Sequence, residues 1–395
     1  MESRSIRNAV SLALEVARGR PLSPPANGVP RRFRVAIGDP QAPLERFLTI
    51  LGRGGLLTDS GRLRPEVQLL SIGDHFDWGT RDERAQATRE GLAILAWLAM
   101  HPADQVLLCA GNHDLARVGE HASLDDEAFA RIRAEADAAY VDGRSDRTLE
   151  RTFLQRAPMF PSVEVASRDL STFSAAQRDW VGHLLSARRL RLAHALGPSL
   201  LASHAGITLD ELSAIGVAPA LAADAPRLAR ALNLALDTAW ALRRPQRALH
   251  IPGLYRAGSA AGREGAGMVY HRAMLSGGAL GDVGGSTPRR RYPPARLPAG
   301  LTQVIGHVRD KKSRELFGLP TAHARDGVLR QLTVTGHRVD YSHGTRGIAG
   351  ADEAVVLHID GGMRSCPAAE YQLLDVDRLE PWEPARLHTS SDARG

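Results

Sequence analysis

Lysine is nearly missing: Lys311 and Lys312 are the only two in a chain of 395 residues, so the net charge of +6 rests on arginine. Those arginines are interspersed with Asp and Glu, and Arg289-Arg290-Arg291 is the one tight run. Such mixing reads as a solvated surface and argues against a nucleic-acid partner. Cysteine is also scarce. Cys109 and Cys366 are too few for a disulfide scaffold, and Cys109 lies inside an apolar run, which suits a reduced, buried thiol. No apolar run approaches the length of a membrane span. Near the N-terminus Glu15 interrupts the only candidate, which removes a signal-peptide core. The expectation is a cytoplasmic protein with no membrane partner. No internal repeat is visible. Length and composition allow one large core or two modest ones, and oligomeric state is not legible.

What the chain does have is a strand pattern that keeps ending in the same way. Residues 106–110, Val-Leu-Leu-Cys-Ala, are an apolar run short enough for a buried strand. The run breaks at Gly111 and then presents Asn112, His113 and Asp114. Residues 33–37 run into Gly38-Asp39-Pro40-Gln41, and residues 67–72 into Gly73-Asp74-His75-Phe76-Asp77. Helical periodicity over 44–51 and 85–100 separates the three, with His101-Pro102 ending the second helix. This alternation predicts right-handed crossovers and a largely parallel α/β sheet. Ligands bind such sheets at the carboxyl ends of the strands.

The remaining organisation follows from periodicity and punctuation. Residues 1–32 predict an amphipathic helix, with Ile6, Val10 and Leu14 on one side, and then a proline-rich linker. Residues 33–380 form the main domain, and 381–395 a tail with little order. Within the domain, 115–197 predicts a helical insertion with helices at 125–140, 149–155 and 175–192. The core resumes with a strand at 199–203 that ends in His204-Ala205-Gly206. Helices follow at 209–215 and 225–242. The Gly-, Pro- and Arg-rich stretch 253–300 reads as loop. A strand at 301–305 ends in Gly306-His307, residues 328–334 and 336–341 predict a hairpin, and a last core strand at 354–359 ends in Asp360-Gly361-Gly362.

Asp39, Asp74, Asn112, His204 and His307 therefore each follow a predicted strand. Carboxylate, amide and imidazole together suit a divalent ion of the Mn, Fe or Zn type. Two such ions a few ångströms apart can deprotonate a bridging water and clamp an in-line displacement at phosphorus. That chemistry needs a proton donor for the leaving oxygen. His113, beside Asn112, is the candidate, and Asp77 is the candidate to orient it. Each Asp or Asn alone would read as a turn or a helix cap; three together, each after Gly, read as ligands. His204 alone would read as a core histidine. A second Gly-His pair, Gly336-His337, sits where the hairpin needs a turn, so His307 is preferred. His75, His343 and His358 read as surface or core residues. Gly262–Gly267 lacks the flanking strand and helix of a phosphate loop and reads as a mobile loop, and Arg289–Arg291 reads as a solvated run.

The five blocks resemble those of the calcineurin-like metallophosphoesterases, written GDxH, GDxxD, GNH(D/E), H and GH. The His-Ala-Gly form at 204–206 and the closing Ile359-Asp360-Gly361-Gly362 look most like the serine/threonine phosphoprotein phosphatases and the diadenosine tetraphosphatases. The resemblance implies a β-sandwich flanked by helices and a cofactor of two divalent metal ions, with Mn favoured. Asp74 would bridge them, Asp39 and position 41 would hold the first, and Asn112, His204 and His307 the second. His113 would be the general acid, with Asp77 behind it. Two departures stand out. Gln41 occupies the place of a metal-binding histidine, and Trp78 that of an arginine that holds phosphate. Arg272, with Arg309 second, is the replacement anchor. The implied activity is hydrolysis of a phosphomonoester substrate on a protein or small molecule. The alternatives are a diadenosine-type polyphosphate hydrolase and a non-catalytic protein that kept the fold.

Overall fold

The three apolar runs become the strands Phe33–Ile37, Val67–Ser71 and Val106–Cys109 of a six-stranded sheet. The structure is a computed structural model that describes residues 2–261, 264–275 and 290–387. The three strands pair in parallel, Ile37 opposite Ser71 and Ser71 opposite Leu108, so their carboxyl ends emerge on one edge. Leu190–Arg191 adds a fourth parallel strand beside Val106–Cys109. Leu374–Asp375 and Glu380–Pro381 extend the opposite side in antiparallel sense.

A second six-stranded sheet is centred on Glu353–His358, Thr302–Ile305 and Leu200–Ser203, which are mutually parallel. Arg330–Thr335, Arg338–His343 and Ala193–Ala195 flank them antiparallel. Parallel pairing thus holds at the centre of each sheet and gives way to antiparallel pairing at both margins of the second sheet and at one margin of the first.

The pleat decides what each face meets. Ala36, Leu70, Ile72 and Cys109 point between the sheets, where they meet Ala202, Val304, Val355 and Leu357. Their neighbours Val35, Ile37, Leu69 and Leu108 point outward and bury with Phe47, Leu51, Leu95 and Leu98 of the helices Leu44–Arg53 and Arg84–Ala99. On the far side, Leu332, Val334 and Val356 bury with Phe317 and Tyr292. The architecture is an α/β sandwich flanked by helices. The N-terminal helix Glu2–Arg18 buries Ala9 and Ala13 in the outer layer. Cys109 and Cys366 are both free and buried.

Three stretches differ from expectation. The helix foreseen over 175–192 stops at Ser186. Arg188 turns the chain with φ +55°, and Leu190 enters the first sheet. Leu190, Leu192 and Ala193 alternate with polar residues or pair with strands, a signal that the helical period masked. The region 115–197 otherwise carries the helices Asp126–Ala139 and Arg147–Arg156 around a cluster of Phe129, Phe153, Phe160 and Phe173, and the helix Ala175–Ser186, whose Trp180, Val181 and Leu184 join the outer core. Secondly, residues 382–387 are packed rather than loose. Trp382 Nε1 donates to Gly54 O at 2.9 Å, and its ring meets Phe33 edge-on at 5.7 Å. Residues 388–395 of the expected tail lie outside the described residues. Thirdly, the stretch 253–300 contains short ladders, among them Arg272–Ala273 parallel to Arg291–Tyr292. Residues 262–263 and 276–289, which include part of the Gly262–Gly267 loop and Arg289, also lie outside them.

Candidate metal-binding and catalytic site

The strand ends of both sheets converge on one edge of the sandwich, and two motif glycines give them room. A Cβ on Gly111 would sit 2.0 Å from Asp74 Oδ1, and one on Gly306 would sit 1.9 Å from Asp39 Oδ1. Any larger residue would displace a carboxylate. Asp74, Asp77 and His307 hold left-handed backbone conformations, with φ of 60°, 61° and 65°. Non-glycine residues adopt these at a cost on the order of 1–3 kcal/mol, and such strain clusters at functional sites.

Asp74, His204 and His307 are buried and each bring one potential ligand atom into a group whose members lie within 4.8 Å of one another. His204 Nε2 is 3.3 Å from Asp74 Oδ2 and 3.2 Å from Asn112 Oδ1. Both imidazoles are anchored from behind. His204 Nδ1 lies 3.0 Å from Ile72 O, and His307 Nε2 lies 2.9 Å from Tyr270 O. An N–H donated to each carbonyl leaves the other ring nitrogen with a lone pair for the cluster, as in metal sites. Burial, with Arg272 next in weight, drives His307 well below its ordinary pKa. The neutral imidazole this favours is the form that coordinates an ion.

Charge balance points the same way. Asp39 accepts the His307 N–H at 2.9 and 3.2 Å. Burial, followed by Asp360 and Asp74, pushes its carboxyl well above the carboxylate range. Burial raises Asp360 as well. The crowded oxygens, with the imidazoles of His204 and His307 beside them, form a donor set that fits divalent cations of the transition series. Gln41 reaches this edge with its amide fixed: Nε2 donates to Phe76 O at 2.9 Å and Asp77 O at 3.3 Å, on the loop that carries Asp74.

His113 stands beside this cluster, with Nε2 3.9 Å from Asp74 Oδ2. Its Nδ1 is 2.9 Å from Asp77 Oδ2. Arg117 Nη1 donates to that same oxygen at 2.7 Å, while the N–H and hydroxyl of Thr172 donate to Oδ1 at 2.9 and 2.6 Å. Burial opposes the charge on Asp77, but Arg117 and His113 outweigh it and hold the carboxylate well below its usual range. Burial likewise opposes the charge on His113, and Asp74 and Asp77 overcome it, raising the imidazole to about 9. The ring is thus held in one orientation with a proton to give.

A cavity of about 400 Å³ opens over Asn112 and His113 and is walled by Tyr270, Arg272, Arg291 and Lys312. Arg272 Nε is buried without a hydrogen-bond partner. Burial and the adjacent Arg291 lower its pKa to about 10. The parallel ladder sets Arg272 directly opposite Arg291. Glu264, on the same cavity wall, pairs with Arg290 and only partly offsets the charge of the two arginines. Arg291, expected in a solvated run, is therefore half-buried on the cavity wall. Its pairing with Arg272 runs through a two-residue ladder with no periodic pattern, so composition alone could not find it. Arg309 pairs with Asp326 at 2.7 Å and lies against Gly362, on the loop after Asp360, rather than among the residues that line this cavity.

Other residues have structural roles. His75 is core: Nδ1 lies 2.9 Å from Asp114 Oδ1 and Nε2 3.0 Å from Ser71 Oγ. Asp114 also accepts the N–H groups of Gly111 and Asp74 at 2.8 and 2.9 Å, which ties two site loops together. His343 pairs with Asp310, His358 is buried, and His337 is exposed beside the Gly336 turn. Trp78 is buried. Besides Arg291, three site residues escaped sequence reasoning: Asp360, Arg117 and Thr172. Asp360 follows an apolar strand just as Asp39 and Asp74 do, so its position was a readable signal. Arg117 follows His113 by four residues, a helical spacing that brings both to one face. Thr172 carries no such signal.

No protein-family model and no curated protein matches this chain. Among solved structures it is similar to a protein serine/threonine phosphatase from Saccharomyces cerevisiae, itself described as having similarity to human phosphatase PP5. That similarity has a TM-score of 0.34 and 11% identity, over 90% of this chain and 89% of the other. Among the described residues no helix is long and apolar enough to cross a membrane.

Proposed function

We propose that this chain is a metal-dependent phosphoesterase that hydrolyses phosphomonoesters. The observation that carries the reading is the oriented, proton-bearing His113 beside the Asp74–His204–His307 cluster, under a wall of arginine. Asp39, Asp74, Asn112, His204 and His307 would hold two divalent ions, with manganese favoured, and the Gln41 carbonyl oxygen is a further donor. When bound, the ions supply Lewis-acid polarisation of the phosphoryl group and a water acidic enough to attack it. Arg272 takes the phosphoryl oxygens in place of the arginine that Trp78 displaces. His113 Nε2 gives its proton to the leaving oxygen, and Asp77, fixed by Arg117 and Thr172, steadies the imidazolium before transfer. Two buried cysteines and scarce apolar runs support a cytoplasmic setting.

A second reading, hydrolysis of a nucleotide polyphosphate, is favoured by one feature. Arg272 and Arg291 stand side by side on the cavity wall, as two neighbouring phosphates would require. The test is turnover of p-nitrophenyl phosphate against that of a dinucleoside polyphosphate, after chelation and re-addition of Mn²⁺. The proposal expects metal-restored cleavage of the aryl phosphate. Preference for the dinucleotide would transfer the assignment to the second reading. No turnover of either would leave a non-catalytic binding protein.

A further inference from the structure

The helix Ala225–Leu242 carries two apolar stripes where a surface helix normally has one. Leu228, Leu232 and Leu236 are buried against the second sheet's edge. Leu234, Thr238 and Leu242, each four residues after the last, form the other stripe with Ala235 beside them, and Leu234 and Leu242 are 66% and 78% exposed. That stripe is one wall of an open groove of about 680 Å³. Ile215, Ile251 and Pro252 make the opposite wall.

Three arginines, Arg243, Arg244 and Arg247, close the groove where the helix ends. The Arg243 guanidinium lies 4.6 Å over the Trp240 ring, and its Nε donates to Arg247 O. Among the described residues no carboxylate forms an ion pair with any of the three; the nearby Asp237 is paired with Arg188 and Arg191. None of these residues lines the catalytic cavity.

We infer that this groove docks an acidic amphipathic helix of a partner protein. The apolar walls match a stripe of leucine-like side chains at i, i+3, i+4 and i+7. The unpaired guanidinium rim selects carboxylates at the end of that stripe. A second copy of this chain fits poorly, because it would bring the same arginine rim and a further net charge of +6 to the contact.

The test uses the full chain and a fluorescein-labelled helical peptide with leucine at that spacing and glutamate at its end, beside the same peptide with lysine for glutamate. Fluorescence polarisation should give saturable binding of the glutamate peptide and at least tenfold weaker binding of the lysine peptide. Leu242→Asp and Arg244→Glu should each weaken the glutamate peptide at least tenfold, with melting temperature and aryl-phosphate turnover unchanged. Equal affinity for both peptides, no saturable binding, or insensitivity to both substitutions would overturn the inference. So would a wild-type dimer in sedimentation that Leu242→Asp dissolves, which would make a second copy the occupant. Binding to phosphatidylglycerol vesicles in preference to the peptide would also overturn it.

Discussion

Asp77 and Asp39 are both buried carboxyls just beyond neighbouring strands, and the protein treats their charge in opposite ways. Asp77 has Arg117, His113 and two Thr172 donors around it, and is held ionised. Asp39 has the His307 amide, faces Asp74 and Asp360, and is pushed toward its neutral form. A buried charge costs several kcal/mol unless it is paired. The first site meets that cost with the chain's own cations and so needs nothing further to be complete. The second leaves negative charge for something outside the chain to balance. This contrast separates the proposed proton-donating half of the site from the proposed metal-binding half, and each half can be disturbed alone.

The largest effect should come from His113→Asn. A general acid contributes on the order of 100- to 10,000-fold when the leaving oxygen needs a proton. Alkyl phosphates should lose turnover by that factor while p-nitrophenyl phosphate loses far less, and metal content should stay unchanged. Equal losses on both substrates would remove His113 from the role.

Arg117→Ala should follow in size, and should act on stability. It strips Asp77 of its buried cation, a change that costs about 3–5 kcal/mol. Urea denaturation should report that loss whether or not metal is added. A variant as stable as the wild type would mean that Asp77 does not depend on Arg117, and the contrast with Asp39 would fail.

Much of this was legible from the sequence, and the reason is local. A strand that ends in Gly and then Asp, Asn or His puts a side chain at a sheet edge whatever the rest of the chain does, so Asp39, Asp74, Asn112 and His307 could be placed there directly, whereas His204 follows Ser203 and rested on the motif resemblance. The Asp77–His113 pairing was accessible because both residues sit close behind those same strand ends. The sandwich followed from the motif resemblance, since alternation alone implied one largely parallel sheet. Contacts made between distant segments were not readable. Thr172 reaches Asp77 from 95 residues away, Arg291 reaches Arg272 through a two-residue ladder, and Trp382 packs on Phe33 from the far end of the chain. Leu190 was misassigned because its strand directly follows a helix with no proline or glycine between them.

Arg272→Ala should produce a smaller loss than either change above. One charge-assisted contact to phosphate corresponds to about 1.5–3 kcal/mol in kcat/KM. Metal content should not change. Unaltered kinetics would make Arg291 the next candidate for the anchor.

Asp39→Asn should give the smallest shift and the opposite sign in stability. Because the folded pKa of Asp39 is raised, the stability it contributes is present at low pH and lost as pH rises through that raised value. Chelated wild type should therefore melt progressively lower as pH climbs from the carboxylate range toward neutrality, and chelated Asp39→Asn should lose part of that dependence. Asp77, with its depressed pKa, contributes stability that disappears only on acidification below the usual carboxylate range. If Asp39→Asn melts lower than wild type at neutral pH after chelation, charge crowding at Asp39 is not what the site stores.

If Asp74 and its neighbours hold divalent ions for phosphate chemistry, as proposed, metal equivalents per chain can be counted by mass spectrometry after loading with Mn²⁺ and dialysis. The wild type should carry close to two equivalents and Asp74→Asn none, with both proteins equally folded by circular dichroism. Two equivalents retained by Asp74→Asn, or none held by the wild type with any of Mn, Fe or Zn, would contradict that proposal.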